Sequence, residues 1–201
     1  MTGNVLVSVN HLPEPGGRAP APGELAVVQA FINSLDREGG EEKFSDPEIL
    51  MSWAVENRLL ARSARLTRRD LLEARRVREA LRDLLEANSG RPVSREAIDI
   101  LNRTSATARM GRVFSITPTP PARPGGTTLA DLLGQIFLIV IRAKVSGEWV
   151  RLKTCRSDVC RWAYYDDSRN RTGQWCAMSI CGSQHKMRRY RARLVRQAAK
   201  A

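Results

Sequence analysis

The chain has 201 residues, 42% of them apolar, and a formal charge of +12 at neutral pH. That apolar content supports a buried core and excludes a fully disordered chain. The longest apolar run, 129–141, contains Asp131 and Gln135 and falls short of the ~20 residues a membrane span needs. The charge is uneven: residues 151–201 hold thirteen Lys and Arg against three Asp, a net +10, so the last quarter is a cationic module suited to polyanions.

The opening residues lack the basic stretch and long apolar core of a secretory signal, so a cytoplasmic protein without membrane contact is expected. Residues 1–23, rich in Pro and Gly between Pro13 and Gly23, read as a flexible segment, and His11 within it as an ordinary surface residue. Residues 24–36 read as a helix with Leu25, Val28, Ile32 and Leu35 on its inner side. A second helix begins at Pro47, with Asp46 as its cap and proline at the first helical position, where its missing N–H costs nothing. The clearest helix is 67–88: Thr67 and Asp70 form a capping box with Asp in place of Glu, and Leu71, Ala74, Val77, Leu81, Leu84 and Leu85 form the apolar stripe. Glu73, Glu79 and Asp83 are left on what reads as its solvated face. Ser94 caps a shorter helix through Leu101, and 112–120 has the β-branched and aromatic content of a strand. Thr128 and Asp131 repeat the capping pattern ahead of a buried helix that Gly147 stops, and 148–155 reads as a short strand.

All four cysteines fall in one window, as Cys155-x4-Cys160 and, after fifteen residues, Cys176-x4-Cys181. Four thiolates are the tetrahedral shell that zinc prefers, so one structural Zn2+ is the favoured reading; disulfides and buried free thiols are the alternatives. The segment between the pairs is too polar for a core of its own. Trp162, Tyr164, Tyr165 and Trp175 are expected to cluster around the site, and metal removal to unfold 155–185 while the preceding helices persist. His185 could replace a cysteine as ligand, although four sulfurs already complete the shell.

After Cys181, Ser183 is expected to cap a helix over 183–199. At 100° per residue Met187, Tyr190, Leu194, Val195 and Ala198 gather on one side as a docking face, with Lys186, Arg189, Arg193, Arg196 and Lys200 opposite. A solvated basic helix would ordinarily carry acidic residues at i,i+4, and this one has none. Lys186, Arg188, Arg189, Arg191, Arg193, Arg196 and Lys200 are therefore the candidate nucleic-acid contacts.

Residues 155–193 resemble the CGNR zinc-finger domain, whose pattern is C-x4-C, an F/Y-D-x-S element, then W-C-x4-C-G-N-R before a basic helix. Cys155, Cys160, Cys176 and Cys181 match its ligands, Tyr165-Asp166 and Ser168 its middle element, Trp175 its tryptophan and Gly182 its glycine. Ser183-Gln184 stand where the family has Asn-Arg, so a contact made by that arginine is not carried over. The N-terminal part is similar to the ABATE domain, with Asn33-Ser34 ending the entry helix and 74–87 resembling its LREALR helix. The resemblance implies a bacterial stress-induced transcription regulator whose finger binds DNA or RNA.

The expected fold is mainly α with a minor β component. A helical, ABATE-like domain over 24–146 is followed over 147–201 by a small four-cysteine zinc finger, zinc-ribbon or treble-clef in type, with its basic helix. The favoured function is a DNA-binding regulator whose helical domain dimerises or senses a small-molecule effector. One alternative is RNA binding, with Trp162, Tyr164 and Tyr165 stacking bases. Another is a small-molecule-binding or enzymatic helical domain closed by a purely structural metal. Residues 1–150 hold no cysteine, one histidine, and no phosphate-binding glycine pattern or nucleophile elbow, so no catalytic residue is assigned and an enzyme is not expected.

Overall fold

The computed structural model describes residue 18 and residues 20–108 and 126–198. The strand expected at 112–120, His11 and Lys200 lie outside the described residues.

Helix α1 (Leu25–Ile32) is buried along its whole length, so it serves as the hub of the core instead of showing one face to it. It ends four residues earlier than its apolar spacing predicts, because the Asn33 N–H closes on Gln29 O and the chain turns into a small hairpin. Strands β1 (Leu35–Asp36) and β2 (Glu41–Glu42) pair antiparallel, with Leu35 opposite Glu42. The Asp36 carboxylate fixes the turn by accepting from the N–H groups of Glu38 and Gly39 at 3.0 and 2.9 Å. Strands of two residues leave no period to read in a sequence.

Helix α2 (Pro47–Glu56) begins as its sequence dictates, with the Asp46 side chain accepting from Ile49 N at 2.9 Å. Helix α3 (Arg68–Leu84) carries the full reciprocal Thr67–Asp70 box and runs into a 3₁₀ turn over Leu85–Ser89. Ser94 caps α4 (Arg95–Thr107), which continues a turn and a half beyond Leu101. Helix α5 (Leu129–Ser146) has its own Thr128–Asp131 box and stops at Gly147, whose φ of 77° is a left-handed value that glycine adopts without steric cost. Leu132, Leu133, Ile136 and Val140 of α5, Leu71, Val77 and Leu81 of α3, and Phe31, Phe44 and Trp53 pack into one core. The three aromatic rings lie 5.2–6.0 Å apart, centroid to centroid.

The segment expected as a strand from 148 is first a 3₁₀ turn over Trp149–Arg151. Strand β3 (Leu152–Thr154) then pairs antiparallel with β4 (Ala163–Tyr165), Lys153 facing Tyr164. Trp149, Leu152 and Ala163 belong to the same core as the helices, so the hairpin is built into the helical body. Last come a π-helical turn over Met178–Gly182 and helix α6 (Ser183–Ala198).

Candidate metal centre and basic helix

The hairpin brings the first cysteine pair to one end. Cys155 N donates to Trp162 O at 2.8 Å, and between them Ser157 O accepts from Cys160 N and Arg161 N at 3.1 and 2.9 Å. Arg161 takes a φ of 45°, which lets the chain reverse into β4 at a cost of about 1–2 kcal/mol for a residue with a side chain. Its guanidinium offsets that cost by reaching Asp83 at 3.1 Å and Glu86 at 3.0 Å, while its carbonyl accepts from Arg82 at 3.0 Å.

The second pair comes from the far end of the finger. Its loop is held by Asp166, which accepts from Lys153 Nζ at 2.7 Å, Ser168 Oγ at 2.6 Å and Gly173 N at 2.8 Å. Burial works to raise the Asp166 pKa, and these donors outweigh it and hold the carboxyl below its usual range. A Cβ on Gly173 would lie 2.9 Å from that carboxylate, so only glycine fits there. Arg156 N donates to Gln174 O at 2.9 Å, which lays the Trp175–Cys176 segment beside the first knuckle, and the π turn then carries Cys181 inward.

All four cysteines are buried, and their sulfurs lie within 4.8 Å of one another. The Cys160–Cys176 and Cys176–Cys181 sulfur separations are 3.8 and 3.6 Å. Metal–sulfur bonds of about 2.3 Å in a tetrahedron give edges of about 3.8 Å, whereas a disulfide needs roughly 2.05 Å. The arrangement is that of a four-sulfur metal site, and the disulfide alternative fails on distance.

The thiols of Cys160 and Cys176 donate to Cys155 and bring its pKa down to about 2, while burial and the neighbouring sulfur charges push Cys181 up to about 12. Cys160 and Cys176 are also raised, first by their hydrogen bonds to Cys155. A divalent cation held by Cys155, Cys160, Cys176 and Cys181 would let all four ionise together. Arg18 lies 5.1 Å from the Trp162 ring centroid, in hydrogen-bond contact with the Cys176 sulfur, and supplies further positive charge.

The aromatic cluster divides. Trp162 and Tyr164 are buried against the cysteines, with the Tyr164 hydroxyl donating to Gly173 O at 2.7 Å, so neither ring is open to a nucleobase. Tyr165 faces the other way, into the helical core. Trp175 is half-buried and stacks on His185, with centroids 4.7 Å apart; among the described residues the metal-capable group consists of the four cysteines alone.

Polar residues that sequence reasoning missed tie this site to the helices. Asn33 grips β4 from both sides, its Nδ2 donating to Ala163 O and its Oδ1 accepting from Ala163 N, each at 2.8 Å. Asn88 Nδ2 donates to Trp149 O and Leu152 O at 2.8 Å. Arg82, fully buried, donates to Ile32 O at 2.6 Å and Leu35 O at 3.1 Å and pairs with Glu79. Buried Arg78 reaches Glu42 through both terminal nitrogens at 2.7 and 2.8 Å. Glu79 and Asp83 are therefore not a solvated face: Arg78 and Arg82 engage the first, Arg161 and the Ser94 N–H the second. Arginines at 78 and 82, beside the apolar stripe at 77 and 81, were the available signal.

Helix α6 starts at the expected residue in a different way. Ser183 is already helical, and its hydroxyl donates back to Met178 O at 2.9 Å, so the π turn and not a serine cap launches the helix. Every residue from Ser183 to Gln197 is exposed. The supposed docking face is undocked: Met187, Tyr190, Leu194 and Val195 are 45–70% exposed, because the helix is anchored at its base and projects from the body. Lys186, Arg188, Arg189, Arg191, Arg193 and Arg196 form no ion pair among the described residues, and Arg193 lies over the Tyr190 ring at 5.8 Å. A cavity of about 570 Å3 opens between α3, α4 and α5, bordered by Arg69, Glu73, Arg103 and Leu133. No helix among the described residues is long and apolar enough to cross a membrane.

Comparison with family models gives two matches. Residues 25–143 match the ABATE family, described as "Putative stress-induced transcription regulator", and residues 151–194 match the CGNR zinc finger. A search of curated proteins found no significant match.

Proposed function

From a chain that belongs to the ABATE family and carries a CGNR zinc finger, we propose a zinc-dependent nucleic-acid-binding transcription regulator with duplex DNA as its target. The observation that carries this reading is α6: a sixteen-residue helix rooted in the four-cysteine site, exposed on all sides from Ser183 to Gln197, with six described cations and no carboxylate partner among the described residues. At 1.5 Å per residue the helix is about 24 Å long, enough to lie along a major groove or follow a phosphate backbone.

Zinc is the proposed ion because four cysteine sulfurs at tetrahedral spacing suit it. Cys155, Cys160, Cys176 and Cys181 would hold it, and the ion would fix the π turn and aim α6. With four sulfur ligands no coordination position is left for a substrate, so the metal is structural and the protein acts by binding. Burial of Trp162 and Tyr164 favours DNA over an RNA reader that stacks bases on them.

The test is unbiased selection from random duplex DNA and random RNA by the zinc-loaded full chain at one stated salt concentration. Enrichment of duplex DNA is expected. Enrichment of RNA alone selects the rival target, and enrichment of neither refutes the reading.

A further inference from the structure

Between the first knuckle and the base of α6 lies a cleft of about 260 Å3, with Cys181 and Trp175 in its lining. Arg156 and Ser157 line it from the knuckle, and Gln184, His185 and Arg188 from the helix. Its charges are two guanidinium groups against Asp158, a carboxylate already shared with Arg91 at 3.6 Å. Arg156 is occupied only by a neutral acceptor, Gln174 Oε1 at 2.9 Å, and Arg188 forms no ion pair among the described residues. Stacking on Trp175 fixes the imidazole of His185 at the same wall.

We propose that this cleft seats a phosphate group, and specifically a backbone phosphate of the nucleic acid that α6 engages. Two guanidinium groups from separate elements line one cleft, the paired cations that phosphate recognition favours, and Ser157, Gln184 and His185 add polar groups around them. Arg188 belongs both to the cleft and to the exposed row of α6, so one phosphodiester path runs from the helix into the knuckle. Arg156 then becomes a nucleic-acid contact outside the basic helix. The proposal rests on the nucleic-acid reading above.

The experiment measures binding of the zinc-loaded full chain to a labelled duplex across a salt series, with Arg156→Gln and Gln184→Arg. Arg156 is exposed, so neither variant disturbs the core, and unchanged zinc content verifies that. One phosphate contact contributes a salt slope of about 0.9, worth about eightfold in affinity at 0.1 M salt relative to 1 M. Arg156→Gln is expected to bind about eightfold more weakly at 0.1 M with a slope shallower by about 0.9, and Gln184→Arg to bind correspondingly more tightly. Arg169→Gln, an exposed cation away from the cleft, should leave both unchanged. If the wild type binds and Arg189→Glu with Arg193→Glu weakens it while the cleft variants change nothing, the cleft proposal is overturned and the helix reading stands. If the wild type binds no nucleic acid, the underlying reading has failed. Inorganic phosphate alone, titrated at constant ionic strength, separates the sources: shifts of the His185 ring signals that vanish in Arg156→Gln, with DNA affinity unaltered, assign the cleft to the free ion and overturn the backbone assignment.

Discussion

Replacing Asn33 by alanine tests whether the finger hairpin and the helices are one folding unit. Asn33 is 2% exposed and Ala163 fully buried, and the amide clamps both backbone groups of Ala163 at 2.8 Å. Removing it orphans the Ala163 N–H, at about 1–3 kcal/mol for a buried donor left unsatisfied. The carbonyl loses its shorter partner but keeps Gln29 Nε2 at 3.3 Å, so that side adds only about 0.5–1 kcal/mol. The sum is about 1.5–4 kcal/mol, which at an m value of about 4 kcal/mol/M lowers the guanidinium midpoint by about 0.4–1 M. Denaturation with zinc saturating, followed by far-UV circular dichroism for the helices and by tryptophan fluorescence, is the assay. Both probes should shift together, with faster hydrogen exchange at the Ala163 amide. An unchanged midpoint with full protection there, or a shift of the fluorescence transition alone, would refute the single unit.

Zinc-edge X-ray absorption of the purified protein should report one ion with four sulfurs at about 2.3 Å, and Cys176→Ser should abolish stoichiometric binding; a site with nitrogen or oxygen in its shell contradicts the assignment. Because Leu152 and Ala163 pack in the helical core, chelation should release 174–198, a narrower loss than the 155–185 expected from sequence, while β3 and β4 keep their amide protection; loss of protection at Leu152 and Ala163 would show that the metal, not the core, supports the hairpin. Gly173→Ala should cost about 1–3 kcal/mol, since its Cβ would press on a carboxylate fixed by Lys153, read as a lowered denaturation midpoint. Lys153→Met should cost about 3 kcal/mol by leaving Asp166 buried without its cation. The folded Asp166 pKa lies below the ordinary 3.8, so its contribution is complete above that value and is lost as pH falls through the folded one. An acid-unfolding profile of Lys153→Met parallel to that of the wild type would contradict this link.

Local chemistry was legible in the sequence wherever its partners lie within one turn. The Thr67–Asp70 and Thr128–Asp131 boxes, the Asp46 and Ser94 caps and the Gly147 stop are each three- or four-residue devices. The cysteines were legible for another reason: four soft ligands in one window have few other uses. What escaped is long-range and polar. Asn33 reaches across 130 positions to Ala163, and Lys153 finds Asp166 only through the register of β3 on β4. Glu79 and Asp83 are charged at positions that a 3.6-residue period assigns to solvent, yet Arg78 and Arg82 of the same helix close over the first and Arg161 of the finger over the second. The apolar side of α6 misled in the opposite sense, because amphipathic spacing states what a helix could bury without stating that anything lies beside it. The two family matches agree with the motifs in the chain, and the buried clasp between them is a long-range contact that no motif encodes.

The most direct test of a zinc-anchored helix that grips a phosphate backbone is the salt dependence of duplex DNA binding by the zinc-loaded chain. A plot of log affinity against log salt should fall with a slope of about −3.6 to −5.4 for four to six phosphate contacts, and Arg189→Glu with Arg193→Glu should remove about two units of it at every DNA sequence. A flat dependence, or equal binding by the double variant, would contradict the assignment of α6.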